Sequence, residues 1–275
     1  MMNSENSPRH FCLLIPCYNH FEGLIAAIET VFYPKDLFII VIVDDGSEVP
    51  VSTQAIKSRI ANNYALTVIR NTENKGITYS LNRGLDWIKK NADVKYIARL
   101  DCNDLCSHDR FYKQVNYLDE HADVGLLGSW CVFENKKKSL KYYYKTPTDH
   151  DAILRDMHLR NVLIHPTVMF RRTLLETAGN YPYDFIHAED YAFFWQLIKV
   201  SHCYILSEFL VTCEISEEGL SLKNRQTQLL SRMKVIRRFG ANPFLKTIGM
   251  MKAAILLLIP KQMFLSFKNL IKSKQ

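Results

Sequence analysis

No Cys-x-x-Cys pair occurs in this chain, no Gly-x-Gly-x-x-Gly turn, no Walker loop, and none of its nine histidines pairs at zinc-ligand spacing. Those absences disfavour a zinc centre and ATP or dinucleotide chemistry. The seven cysteines are odd in number and scattered. That predicts reduced thiols in a cytosol rather than a disulfide framework. The opening MMNSENSPRH has no apolar signal core, so secretion is not expected. No internal repeat or low-complexity linker appears either. The longest apolar run of the C-terminal part, Ala253 to Ile259, ends at Pro260. It falls far short of the roughly 20 residues needed to span a bilayer.

Acid is missing from one end. From Gly219 to Gln275 there are twelve Lys or Arg and no Asp or Glu, so the net charge of +7 hides a mildly acidic body of 23 basic and 28 acidic residues. A hydrophobic fraction of 48% over 275 residues supplies a large core, and disorder is not expected. The charge break predicts a body over 1–218 and a basic helical extension over 219–275.

The first hundred residues alternate strand and helix. Phe11 to Pro16, Leu37 to Val43, Ala65 to Ile69 and Tyr96 to Leu100 are short apolar runs of the kind buried on both faces of a parallel sheet. Between the first two, Asn19 and Glu22 have capping-box spacing, Leu24, Ile25, Ile28 and Val31 follow at helical spacing, and Pro34 ends the helix. Ile77, Leu81, Leu85 and Ile88 mark a second helix after Asn74-Lys75-Gly76. This pattern predicts an α/β fold with a mostly parallel sheet flanked by helices. The second half is less regular. Val124 to Phe133 and the tyrosine-rich LKYYYK read as an antiparallel insertion, Thr167 to Arg171 as a strand, Ala188 to Val200 as an apolar helix and Tyr204 to Val211 as the closing strand.

Two acidic clusters, Asp44-Asp45 and Asp101-Cys102-Asn103-Asp104, end predicted strands and so share one rim, where such sheets bind ligands. Clustered carboxylates are costly without a cation or several donors. Carboxylate and amide oxygens together suit Mg²⁺ or Mn²⁺, and through it a diphosphate. Each cluster alone also fits a solvated loop or a helix cap.

The stretches LIPCYNHFEGLIAAIETV, VDDGS, NKGITYSLNRGL, ARLDCNDLCSHDRFYKQ, HPTVMFRR and AEDYAFFWQL occur in this order over most of residues 11 to 215. In them the chain resembles the family-2 nucleotide-sugar glycosyltransferases, which have the GT-A (Rossmann-like) fold. The resemblance implies an inverting transferase that moves a sugar from a UDP-sugar donor (glucose, galactose or an N-acetyl form) to a lipopolysaccharide, capsule or related glycan. It implies a nucleotide-binding half over about 10–105, an acceptor half over about 106–218, and Mn²⁺ or Mg²⁺ as cofactor. Pro16, Tyr18 and Asn19 would border the nucleotide, Asp44 would accept from the uracil ring with Asp45 beside it, and Asn74 and Gly76 would form the turn under base or ribose. Arg99 matches a basic residue before the metal motif. Asp101 and Asn103 match its pair of aspartates, for which Asp104 is the alternative ligand. Asp190, preceded by Glu189, matches the catalytic base. Where the family carries Asp-x-Asp-Asp this chain has Asn103, one negative charge fewer, which leaves open which residue would hold the metal.

His165 and Trp130 are weaker candidates for the donor-sugar or acceptor cleft. A structural histidine and sheet packing are their alternatives, and sheet packing is equally the alternative to sugar stacking for Tyr142 to Tyr144. A sugar nucleotidyltransferase would need a glycine-rich basic loop where this chain has Pro16-Cys17-Tyr18-Asn19-His20. A non-catalytic nucleotide-sugar-binding protein has only Asn103 in its favour. The extension mixes its cations with Leu256 to Ile259, Met263, Phe264, Leu265, Phe267, Leu270 and Ile271. That composition suits the inner face of the cell membrane better than nucleic acid, so a cytoplasmic, peripheral membrane protein is expected.

Overall fold

A computed structural model describes residues 9–215 and 224–259. The sequence alternation becomes β1 (Arg9–Cys17), α1 (Phe21–Glu29), β2 (Phe38–Asp44), α2 (Thr53–Lys57), β3 (Leu66–Arg70), α3 (Ile77–Asn91) and β4 (Val94–Arg99). These strands pair in the parallel order β3-β2-β1-β4, with Cys17 opposite Asp44 and Leu14 opposite Arg99. Their carboxyl ends therefore line up at one rim. Strand β1 is buried on both faces because alternate residues serve two cores. Cys12 and Leu14 pack with α3 residues Leu81, Leu85 and Ile88, while Phe11, Leu13 and Ile15 pack with Leu24 and Ile28 of α1. Each such aliphatic side chain contributes about 1.5–3 kcal/mol by leaving water, which is why continuous apolar runs, not alternating ones, mark these strands.

The second half adds β5 (Leu105–Cys106), α4 (Arg110–Glu120), β6 (Val124–Asn135), β7 (Leu140–Tyr144), α5 (His150–Met157), β8 (Met169–Arg171), α6 (Leu174–Ala178), α7 (Glu189–Ile198) and β9 (His202–Glu214). Strand β8 lies antiparallel between β4 and β6, β9 runs parallel to β6, β5 is antiparallel to β9, and β7 forms a hairpin with β6. The sheet is thus parallel in its first half and mixed beyond β4. Strand β9 does not close the edge, because the two-residue β5 caps it. Helix α7 buries Tyr191, Phe193, Phe194 and Trp195 on the α3 side of the sheet.

The capping box expected at α1 does not form. The cap position is His20, Asn19 turns left-handed (φ 50°) and accepts from the Glu48 amide at 2.8 Å, and Glu22 pairs with Arg59. Asn19 therefore ties the β1–α1 loop to the β2–α2 loop. Gly46 is required on two counts, since its φ is +73° and a Cβ would lie 2.4 Å from the Glu73 backbone.

Helices α8 (Arg225–Phe239) and α9 (Pro243–Leu258) realise the helical part of the basic extension. Residues 219–223 and 260–275, including Met263 to Ile271, lie outside the described residues. Helix α8 packs on α7, and Arg225 donates to the Ile259 carbonyl, tying α8 to the end of α9.

Candidate functional site

At the end of β2 both carboxylates are enclosed. Asp44 accepts from the Ser47 and Val51 amides at 3.0 and 3.1 Å and pairs with Arg70 at 2.7 Å. Asp45 accepts from Asn71 at 2.7 Å and from the Lys75 and Gly76 amides at 3.0 and 2.9 Å. Asp45 thus fixes the Asn74-Lys75-Gly76 turn. Asn74 adds a second bond to the Gly76 amide, and Gly76 holds φ 86° with open space where a Cβ would stand. Pro16 is buried beside this rim and Tyr18 is exposed. Arg70 and Asn71 were not predicted, because a lone Arg-Asn after a strand carries no local signature.

At the end of β4 the organising group is Arg99, whose side chain is fully buried. It donates to the Leu14 and Leu100 carbonyls, to Asp101 at 2.5 Å and to His165 Nε2 at 3.2 Å. Beneath it a second buried guanidinium, Arg110, donates to the Arg99 carbonyl and to Gln114, which donates in turn to the Thr167 carbonyl. Burial opposes ionisation of Asp101, but the Arg99 guanidinium outweighs it and holds the carboxyl below its ordinary value. Asp101 is 38% exposed, so its other oxygen faces outward.

Asn103 is left-handed (φ 68°). Its amide nitrogen lies 2.9 Å from His20 and donates to Glu214 at the end of β9, while its oxygen packs on Gly23, where a Cβ would meet it at 2.4 Å. Asp104 points inward. Burial and then Asp101 push its carboxyl well above the usual range, and one oxygen accepts from the Glu214 amide at 2.9 Å. Of the three expected metal ligands, Asp101 is the one with an outward carboxylate oxygen. Among the described residues no three His, Cys, Asp or Glu side chains gather closely enough to hold a cation unaided. This donor set fits an ion held largely by substrate phosphate, since Mg²⁺ commonly uses one or two carboxylates plus phosphate oxygens and water.

The third element is the amino end of α7, entered through left-handed His187 (φ 61°). Asp190 accepts from Asn161 at 3.0 Å and from the Tyr191 amide at 2.7 Å. Burial raises its pKa, opposed by the Tyr191 amide, by Arg232 of α8 and by Asn161. Glu189 is buried, with one carboxylate oxygen unpartnered, and burial followed by Asp190 pushes it up to about 7. The end of β4 and helix α7 meet through His165, which lies 3.2 Å from Arg99 and packs edge-on against Phe194 of α7. Of the four left-handed non-glycine residues in the described chain, Asn19, Asn103 and His187 all lie in rim loops. Such backbone strain gathers where loops hold functional groups.

His165 links these elements. A guanidinium can only donate, so the His165 Nε2 facing Arg99 is unprotonated and also accepts from the Tyr181 hydroxyl at 2.8 Å. Burial and then Arg99 push the imidazole down to about 3. It is a neutral linker between β4 and Tyr181 at physiological pH. Trp130 donates its indole N–H to the Thr146 carbonyl at 2.9 Å and packs on Phe209 under Lys145. Tyr142 and Tyr144 pack on Phe133 within the β6–β7 hairpin.

The profile of the family described as "Glycosyl transferase family 2" matches residues 12–179. The chain belongs to glycosyl transferase family 2. It is 30% identical over 197 residues to the amylovoran biosynthesis glycosyltransferase AmsE of Erwinia amylovora, covering 70% of this chain and 71% of that protein. Among solved structures, S. aureus TarS in complex with UDP superposes with a TM-score of 0.62 at 18% identity, covering 88% of this chain and 69% of TarS. The mannosyltransferase PcManGT of Pyrobaculum calidifontis, in complex with GDP-Man and Mn²⁺, superposes at 0.61 and 20% identity, covering 96% and 81%. These likenesses identify the GT-A fold expected from the sequence.

Proposed function

We propose that this family-2 enzyme transfers a hexose or N-acetylhexosamine from a UDP-sugar to a bacterial surface glycan, with inversion, in a single displacement. The observation that carries the reading is the placement of Asp101 at the end of β4 and of Glu189 and Asp190 at the head of α7, joined through Arg99, His165 and Phe194. Asp190 takes the proton of the attacking acceptor hydroxyl. It stands at a helix amino end, where free amides favour an anion, and Asn161 fixes its orientation. The Asn19–Ser47 and Asp45–Gly76 contacts hold the loops that border the base and ribose. Asp44, satisfied on both oxygens by Ser47, Val51 and Arg70, acts at the base through that frame. A Mn²⁺ or Mg²⁺ ion would be held by the outer oxygen of Asp101 together with the diphosphate, and would neutralise charge on the leaving nucleotide. Residues 1–218 are the catalytic unit, and the extension over 219–275 completes it through α8.

A panel of UDP-, GDP- and dTDP-sugars, with and without Mn²⁺ or Mg²⁺, tests this by nucleotide release and thermal shift. UDP-hexoses should stabilise and turn over in the presence of metal. Release from none of them would refute the donor assignment.

The extension docks the enzyme on the inner membrane face. Phe244, Ile248, Met251, Ile255 and Leu258 recur every three or four residues along α9 and are exposed, Leu258 at 84%. The opposite face is closed by Gly249 on the His158 carbonyl and by buried Ala253. Among the described residues no helix is long and apolar enough to cross a membrane, so an in-plane helix is the form that fits. Replacing Ile255 and Leu258 together by Asp should abolish co-sedimentation with anionic liposomes while leaving the melting temperature and transfer to a soluble acceptor unchanged. Equal sedimentation of variant and wild type would remove α9 as the anchor.

A further inference from the structure

Glycine inside a helix is unfavourable unless a neighbour comes too close for a side chain. Gly249 stands midway along α9, and a Cβ there would lie 1.9 Å from the His158 carbonyl oxygen. Gly240, at the end of α8, is shaped to the same residue, since its Cβ would lie 3.2 Å from the His158 ring and 2.7 Å from the Ile236 carbonyl. The extension is thus moulded around one histidine, the first residue after α5. His158 is buried and bonded at both ring nitrogens. Its Nδ1 lies 2.8 Å from the Leu154 carbonyl, which can only accept, so Nδ1 carries the proton. Its Nε2 is left to accept, and takes the backbone amide of Asn242, the cap of α9, at 3.2 Å.

The other side of the same stretch runs along α7. The Met157 carbonyl accepts from the Tyr191 hydroxyl, the His158 ring packs edge-on to Trp195 at 5.1 Å, and Asn161 donates to Asp190 at 3.0 Å. Met157 to Asn161 are therefore clasped between α7 and the extension. Leu159 and Arg160 make turn bonds to the Asp156 carbonyl, but no strand ladder fixes the stretch, because α5 has ended and β8 begins only at Met169. Downstream, Val162 and Leu163 enter the core, so the end left to be placed is the one that His158 holds. We propose that His158 is a positioning residue: seated on Gly240, Asn242 and Gly249, it sets the place of Asn161 and through it the orientation of Asp190. The basic extension thereby completes the catalytic arrangement from behind α7. The assignment rests on Asp190 as the base. A misplacement of about 1 Å far from the reacting atoms can cost about a hundredfold in rate, so a small shift of this seat is enough to matter.

The test follows UDP release by the full chain from the UDP-hexose that turns over, with an octyl glycoside as acceptor. His158→Leu removes the acceptor for the Asn242 amide. It should lower kcat about tenfold or more, while donor KM and UDP affinity stay within about twofold. The acid limb of kcat should move to higher pH, because the Asn161 bond that favours ionised Asp190 is loosened. His158→Gln, whose carbonyl can still accept from the Asn242 amide, should retain more activity than His158→Leu. Gly249→Ala reaches the seat from the other side and should lower kcat too, whereas Thr247→Ala, on the exposed side of α9, should not. The double-mutant cycle is decisive. In an Asn161→Ala background His158→Leu should cost nothing further, since a residue acting through Asn161 has nothing left to misplace. Losses that multiply instead, an unmoved acid limb, or UDP affinity falling in step with kcat would assign His158 to the fold alone and overturn the proposal. Near-normal turnover of Asp190→Asn refutes Asp190 as the base and removes the proposal with it. A collapsed Asp190→Asn beside an unaffected His158→Leu overturns the positioning and leaves the base in place.

Discussion

Asp190→Asn should lower kcat for sugar transfer about a hundredfold or more, the scale expected when a general base is removed, while UDP affinity stays within about twofold. The substitution keeps shape and size but leaves no carboxylate to accept a proton. Its oxygen can still accept from Asn161 or from the Tyr191 amide, so the head of α7 should not unfold. Asp44, Asp45 and Asp101 are untouched, which is why nucleotide binding survives. Glu189 is the natural competitor for the role, being pushed up to about 7 with one oxygen free. Asn161→Ala separates the two through the pH profile. A base works ionised, so activity is lost as pH falls through its pKa. Asn161 holds the Asp190 pKa down, so its removal should move the acid limb of kcat to higher pH if Asp190 is the base. An unmoved limb, with near-normal turnover in Asp190→Asn and a collapse in Glu189→Gln, would transfer the role to Glu189.

The parts of this site that were legible in the sequence belong to single strands and their following turns. Phe11 to Pro16 and Leu37 to Val43 could be read as central parallel strands because burial on both faces leaves no polar alternation, and that alone brings their ends to one rim. Asp101 could be picked out because it ends a recognisable apolar run, whereas Asp190 is marked by the resemblance to the family rather than by local pattern. What could not be read comes from pairing across long stretches of chain. Glu214 meets Asn103 only because β5 and β9 are antiparallel neighbours, and Arg99 reaches His165 only because β8 lies beside β4. Arg110 and Gln114 lie on α4, a helix whose polar-looking sequence hides a buried stripe. Asn161 precedes a loop with no periodic pattern at all. The capping-box reading of Asn19 and Glu22 failed for a related reason. The Glu48 amide, which no local pattern announces, competes for Asn19 and draws it away from the helix.

Asp101→Asn should abolish the metal dependence of UDP-sugar binding and reduce transfer about a hundredfold, on the scale of losing one group that stabilises transition-state charge. Asn is the informative substitution here, because Ala would strip the partner from the wholly buried Arg99 guanidinium. Breaking such a pair costs about 3–5 kcal/mol, and a fold defect would then mimic a lost ligand. With Asn the side-chain oxygen can still accept from Arg99, while the outward position becomes an amide nitrogen that cannot ligate a cation. Asn103→Asp probes the same position from the other side. Restoring the second carboxylate should favour a cation, yet Asn103 donates to Glu214, and an aspartate there would set two carboxylates against each other. The variant should therefore melt lower than wild type in chelator and recover or exceed it in millimolar Mn²⁺. Half-maximal activity should also come at less Mn²⁺ than wild type requires. Asp104 cannot substitute in this behaviour, because its inward carboxyl is held well above the usual range and capped by the Glu214 amide. Transfer that continues undiminished in excess chelator, together with an Asn103→Asp variant whose melting ignores Mn²⁺, would take the divalent ion out of the reaction and leave Asp101 as a partner of Arg99 alone.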